Sequence, residues 1–380
     1  MKILAISHSA LLESYQEKYD YLANSHGHKV LLITQKKRQE GGGRDVKAQD
    51  RQSGGLFVKT LPSFFSGSLR RHFYLGLTGY ARGFQPDLIY AENEPQAEST
   101  SQALKAAQRF DARFIFFTWE NIEQKYQGRK RRIEKIVLEN SDGAIAGNQE
   151  GHDILRAQGF KKPLAVIPQY GVNPKQFRPL DTNDFRRQLR LSGKFVIGYV
   201  GRLLPEKNIA SLIQAVGQLP ETCSLIIIGN GPEKGALSSL SKRLGITDRV
   251  KFVSAVSHQD VVRYMNLFNV LVLPSITTSS WKEQFGRVIP EAMACQTPVI
   301  GSDSGEIPNV IDKAGLIFPE GDVGALTQSI KKLMSDKSFY NSIAQSGFKR
   351  TISLYSNEAI AAQMNNFFAQ FESHAQKSRH

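Results

Sequence analysis

Cysteine is nearly absent from this chain: its 380 residues hold two, Cys223 and Cys295, in apolar or helical surroundings and with no Cys-x-x-Cys spacing. That argues against a disulfide framework or a zinc ribbon and makes both thiols expected core residues. No apolar run approaches the roughly 20 residues that span a bilayer. The opening Met1-Lys2-Ile3-Leu4-Ala5-Ile6-Ser7 reads as a strand, without the long apolar core of a signal peptide, so the expectation is a cytoplasmic globular protein. None of the histidines takes the His-Glu-x-x-His spacing of a zinc hydrolase. Gly41-Gly42-Gly43 has no Lys-Ser/Thr after it and reads as a loop, not a Walker phosphate loop.

Acidic residues are also in short supply, 35 Asp and Glu against 49 Lys and Arg, for a net charge of +14. Residues 1–180 carry 27 basic and 18 acidic side chains, +9, and the remainder carries 22 and 17, +5. The concentrations are Lys36-Lys37-Arg38, Arg70-Arg71 and the run from Lys125 to Lys135. Such a surface attracts an anionic membrane, or is simply a solvated face. Nucleic acid is not expected, because no nucleic-acid motif accompanies the charge.

What is abundant is a regular alternation. Short apolar runs bounded by turn residues alternate with helical stretches, the pattern of parallel sheets covered by helices on both faces. The expected strands are Lys2–Ile6, His28–Ile33, Leu56–Thr60, Leu88–Ala91, Ala112–Phe117, Gly143–Ala146 and Leu164–Ile167, and the pattern restarts with Phe195–Val200, Ser224–Ile228, Val250–Phe252, Val270–Leu273, Pro298–Gly301 and Gly315–Phe318. The polar segment from Gly171 to Ser192 separates the halves. We therefore expect an α/β chain of two doubly wound, Rossmann-like domains, 1–180 and 181–356, with a last helix over about 357–372 whose apolar face (Ile360, Met364, Phe367, Phe368, Phe371) packs back on the first.

Ligands of such sheets bind at the carboxyl ends of strands. There the second half places Gly201-Arg202, with Lys207 five residues on, a basic pair suited to a diphosphate, and Gly229-Asn230-Gly231-Pro232, a turn that lets backbone approach a ligand. Glu283 and Glu291 lie eight residues apart across Phe285-Gly286-Arg287-Val288. Pro290 is tolerable only in the first turn of a helix, so Glu283 falls on a loop and Glu291 near a helix N-terminus. Backbone N–H groups there suit a phosphate, and carboxylates suit sugar hydroxyls; the plainer alternative is a dipole-complementing Glu291 and a solvated Glu283. In the first half His8 follows the first strand, Trp119, Glu120 and Asn121 end the fifth, and Glu92 and Glu94 end the fourth, either as sugar contacts or as helix N-terminal acids.

Together, Gly201-Arg202-Leu203-x3-Lys207, Gly229-Asn230-Gly231-Pro232, the Glu-x7-Glu element, Gly301-Ser302-x-Ser304-Gly305-Glu306-Ile307-Pro308 and Ile167-Pro168-Gln169-Tyr170-Gly171-Val172-Asn173 resemble the retaining family 4 (group 1) glycosyltransferases of GT-B fold. The resemblance is close over about 140–330; the first half agrees in strand pattern only. It implies two domains facing each other across a cleft, and transfer of a hexose from a UDP- or GDP-sugar, with retained configuration and no metal or other cofactor, to a sugar, lipid-linked or small-molecule acceptor. By motif, Arg202 and Lys207 would neutralise the leaving diphosphate, Glu291 would hold the ribose and Glu283 the hexose. Gly201, Gly229, Phe285, Gly286, Arg287 and Val288, with Val253 and Ser254 near the base, would complete the donor site. The chain has Ser7-His8-Ser9-Ala10 where many members have a Gly-Gly pair, and Thr118-Trp119-Glu120-Asn121 where many have a histidine. His8, Trp119 and Asn121 are thus acceptor-side candidates, with Glu120 in the histidine's place. Such an enzyme would work in the cytoplasm, at the inner face of a membrane if the basic surface docks there. The alternatives are a nucleotide-sugar epimerase of the same architecture and a non-catalytic nucleotide-sugar-binding protein.

Overall fold

The computed structural model describes residues 1–39, 45–68 and 70–374; Gly41-Gly42-Gly43 lies outside them. The chain divides into two compact units, one of Met1–Gly171 together with Asn357 onward, the other Val172–Ser356. The division falls earlier than residue 180. Val172 already pairs with the second unit: its N–H donates to Tyr355 O at 2.8 Å, and Phe177 is buried.

The first unit is built on one sheet. Its strands are β1 (Lys2–Ser7), β2 (Lys29–Gln35), β3 (Arg51–Ser53), β4 (Leu56–Leu61), β5 (Leu88–Glu92), β6 (Arg113–Thr118), β7 (Gly143–Ala146) and β8 (Leu164–Val166), in spatial order β8-β7-β6-β5-β1-β2-β4-β3. All neighbours are parallel except β3 and β4. The central strands are apolar throughout because both faces are covered, as parallel sheets require. The helices used below are α1 (Glu17–Asn24), α2 (Leu77–Phe84) and α3 (Gly128–Asn140). The order reverses between β1 and β5, so the crevice of this sheet opens at their carboxyl ends.

The second unit repeats the plan with β9 (Phe195–Val200), β10 (Cys223–Ile228), β11 (Val250–Val253), β12 (Val270–Leu273), β13 (Val299–Ser302) and β14 (Leu316–Phe318), in the order β11-β10-β9-β12-β13-β14, all parallel. Here the reversal lies between β9 and β12. Helix α4 (Val288–Ala294) starts just before Pro290, as the proline demands. Cys223 and Cys295 are both buried, and burial pushes the Cys295 thiol up to about 12.

The chain then returns to the first unit as α5 (Asn357–Phe368). Ile360, Met364, Phe367, Phe368 and Phe371 form one buried face against Ile3, Tyr90, Ile115 and Ile145, with Phe368 and Tyr90 ring centroids 5.5 Å apart. Each of these side chains contributes about 1.5–3 kcal/mol by burial, so the helix is part of the first unit's core.

Candidate functional site

In the second unit the site forms where the strand order reverses. The loops after β9 and β10 interlock: Gly201 N–H donates to Ile228 O at 3.0 Å, Gly229 N–H to Val253 O at 3.0 Å, and Leu203 N–H to Asn230 O at 2.9 Å. A Cβ on Gly229 would lie 1.8 Å from Gly201 O, so only glycine lets these strand ends close. Arg202 is exposed, and no described residue forms an ion pair with it. Its carbonyl is held by the buried Tyr199 hydroxyl at 2.9 Å. Val253 ends β11 with its carbonyl bonded to Gly229, and Ser254 is exposed beside it.

Lys207 closes a 3-10 turn, Pro205–Lys207, tied to the loop after β12 by Ile276 N–H donating to Glu206 O at 2.9 Å. From there its ammonium reaches Glu283 Oε2 at 2.5 Å and stands 4.4 Å from the centroid of the Trp281 ring. Ser275 Oγ donates to the same carboxylate oxygen at 3.1 Å. The pair therefore straddles the reversal point, one partner from each flanking loop, and both are only about a tenth exposed. Glu283 is fixed through its backbone too. Its carbonyl accepts from Glu306 N–H at 3.0 Å, and Gly305, at φ +52°, passes so close that a Cβ would stand 2.2 Å from that oxygen.

Glu291 and Arg287 also meet, Arg287 Nε to Glu291 Oε1 at 2.9 Å, with Glu291 buried in the first turn of α4. Phe285 is buried edge-on against Tyr355 at 5.6 Å, which makes its ring a packing element. Gly286 adopts φ +73°, and its carbonyl accepts from Ile289 N–H at 2.8 Å, turning the chain into α4 at Val288. Ser275 and Trp281 were missed in the sequence. Trp281 carried a signal, two residues before Glu283; Ser275 carried none.

In the first unit the reversal point holds a buried ion pair. Lys18 of α1 donates to Glu92 Oε1 and to Gln169 O at 2.6 Å, while Ser7 Oγ donates to Glu92 Oε2 at 2.5 Å. Glu92 thus serves this internal pair and is not a helix N-terminal acid. Beside it, Glu94 accepts from Thr118 Oγ1 at 2.6 Å and from Trp119 N–H at 2.9 Å. Glu120 accepts from Tyr126 and from Gln96 Nε2 at 2.8 Å, with Arg70 at 3.9 Å. Trp119 donates through Nε1 to Gln169 at 2.6 Å and stacks on Tyr170 at 6.1 Å; Asn121, two residues on, is buried. The His8 ring lies 5.6 Å from that of His72.

Burial, and then the charge of Glu120, push the Glu94 carboxyl up to about 7. Burial and then Glu120 do the same for Glu134 of α3, and burial raises Glu120 itself against the hydrogen bond from Tyr126. A carboxyl with a folded value near 7 against an ordinary 4.5 binds more protons folded than unfolded between those values. Its contribution to stability is full below 4.5 and is lost as pH rises through about 7. Urea midpoints should accordingly fall from pH 5 to pH 8 by less in Glu94→Gln than in the wild type; parallel profiles would refute this assignment.

No group of three or more His, Cys, Asp or Glu side chains among the described residues is arranged to hold a metal ion, and no described helix is long and apolar enough to cross a membrane.

Two parallel-sheet units of this kind define the GT-B fold. HepE from Anabaena, solved with UDP, superposes with a TM-score of 0.75 over 97% of this chain and 100% of its own at 20% identity. Sucrose-phosphate synthase from Thermosynechococcus elongatus does so with 0.72 over 98% and 99% at 23% identity. Residues 181–350, most of the second unit, match the family described as glycosyl transferases group 1. Among curated relatives, the capsular polysaccharide biosynthesis glycosyltransferase CapM of Staphylococcus aureus is 30% identical over 63% of this chain and 64% of its own length. A D-inositol 3-phosphate glycosyltransferase of Mycobacterium sp. (strain KMS) is 28% identical over 53% and 47%. The chain thus spans about half to two thirds of the curated relatives it matches.

Proposed function

We propose that this protein transfers a hexose from a nucleotide-diphosphate sugar to an acceptor hydroxyl with retention of anomeric configuration. The observation that carries the proposal is the Lys207–Glu283 pair, set by two loops across the reversal point of a group 1 domain. Arg202 and Lys207 stabilise the charge that grows on the departing diphosphate, so no metal ion or other cofactor is required by the reading. Glu283 accepts from hexose hydroxyls and Glu291 from the ribose, each oriented by its cationic neighbour. The leaving diphosphate takes the acceptor's proton. Backbone at Gly201, Gly229, Val253, Ser254, Gly286 and Val288 lines the donor, and UDP is the favoured nucleotide because HepE was solved with UDP and with UDP-glucose.

In the first unit His8, Trp119, Glu120 and Asn121 serve the acceptor. A lipid-linked or polysaccharide acceptor fits the basic first half, docked from the cytoplasm on an anionic membrane, and CapM supports a polysaccharide setting. The test is a thermal-shift series with UDP, GDP, ADP and their sugars on wild type and Arg202→Ala. A ligand at 100 times its Kd adds roughly 2.7 kcal/mol of stability. Stabilisation by one nucleotide, lost in the variant, is expected; no stabilisation by any would overturn the donor assignment.

A further inference from the structure

A groove of about 630 Å3 runs along α2 on the first unit, remote in sequence from every donor-site residue. One wall is Gly76, just before the helix, with Gly79 and Gly83 inside it. A Cβ built on any of the three meets no atom within 4 Å. At Gly76 the left-handed backbone, φ +83°, accounts for glycine, but at Gly79 and Gly83 packing does not demand it, although glycine is the least favourable residue after proline inside a helix. The opposite wall is the sheet, with Leu31 and Phe57 facing the groove and Phe84 closing it. Leu75, next to Gly76, and Tyr80, which lines the groove, are exposed by 43% and 40%.

Two of the groove's three lysines, Lys2 and Lys29, sit where their strands begin, and Lys59 lies farther along β4. Lys2, Lys29 and Lys59 all line the groove. Lys2 and Lys29 are direct register partners on β1 and β2, so their side chains stand side by side on one face, and like charges so placed repel. Lys59 has Asp50 at 3.0 Å, whereas no described carboxylate forms an ion pair with Lys2 or Lys29. Asp87 accepts instead from the backbone N–H of Lys2 at 2.7 Å. An apolar trough with two ammonium groups that form no ion pair among the described residues is complementary to one class of ligand.

We propose that this groove binds an anionic amphiphile, with a phosphate-type head at Lys2 and Lys29 and an alkyl chain along the glycine face of α2. From Gly76 to Gly83 the helical rise amounts to about 10 Å, room for a chain of medium length. The proposal is independent of the sugar-transfer reading.

The test titrates the full chain with decyl phosphate below micelle formation, and in parallel with inorganic phosphate and with decyl maltoside. The variants are Gly79→Leu, whose side chain enters open groove, and Lys29→Glu, at the exposed start of a strand; circular dichroism verifies their fold. Decyl phosphate should bind at least tenfold more tightly than either comparison compound, and each variant should weaken it at least tenfold. Equal binding by inorganic phosphate or by the maltoside, or unchanged affinity in both variants, would overturn the proposal. Sedimentation with phosphatidylglycerol vesicles identifies the source: groove-dependent co-sedimentation marks a bilayer lipid, and its absence alongside intact decyl phosphate binding marks a soluble monoester. Either of these supports the groove.

Discussion

If the proposed sugar transfer holds, Lys207→Ala is expected to lower its turnover number by about two to three orders of magnitude, the usual cost of removing one preorganised group aimed at developing charge. The ammonium is held by Glu283 at 2.5 Å and lies 4.4 Å from the Trp281 ring centroid, so its position is set before any ligand arrives. On that reading, charge on the leaving diphosphate is larger in the transition state than in the bound donor. The loss therefore falls mainly on kcat, and KM changes less. Lys207→Arg keeps the charge but not the compact head that fits between carboxylate and ring, and recovers only part of the rate. Steady-state kinetics on folded variant decides the point: an unchanged kcat removes Lys207 from the chemistry and leaves the pair a structural one.

Lys18→Met has the largest expected effect on stability, a loss of about 3–5 kcal/mol, because it leaves Glu92 charged and buried without its partner. Both side chains are at most 3% exposed, and Tyr19 and Tyr90, fully buried beside them, have phenol pKa values raised by burial and by the charge of Glu92. Burial likewise lowers the Lys18 ammonium, with Glu92 opposing. Replacing the pair together, Lys18→Met with Glu92→Leu, recovers most of the loss, since well-packed apolar residues often substitute for a buried pair without net cost. Urea unfolding of the two variants separates the cases. If the double variant is no more stable than the single one, the cost is one of packing rather than of an unpaired charge.

Much of this architecture was legible because parallel strands covered on both faces must be apolar along their length. Phe195–Val200, Gly143–Ala146 and Val270–Leu273 coincide with β9, β7 and β12 as expected from sequence. The face of Ile360, Met364, Phe367, Phe368 and Phe371 likewise identified α5 as a core helix. The short antiparallel pieces, Arg51–Ser53 and the hairpin of Ser63–Phe64 with Phe73–Tyr74, were not legible. They are two or three residues long and, Tyr74 apart, at least partly exposed, and no periodicity develops over that length. In the second unit the residue types and their loops could be read, but not their pairing. Lys207 and Glu283 are 76 positions apart and were assigned separate tasks, and nothing local predicts that one carboxylate will hold the other's ammonium. Glu92 and Glu94 could not be told apart in sequence either. Only the fold brings Lys18 to the first and Thr118 to the second.

Because α5 belongs to the core of the first unit, that unit is written in two pieces around Val172–Ser356. A ribosome releases β1 to β8 long before it reaches Phe367 and Phe371. At about 5–20 residues per second the intervening 185 residues take roughly 10–40 s. Throughout that interval the sheet face around Ile3, Tyr90 and Ile115 has only α1 and lacks the cover of α5, while the second unit, a continuous segment, is free to fold as it emerges. The unit begun first is completed last, and the interval before its final helix arrives is when the nascent chain depends most on chaperones.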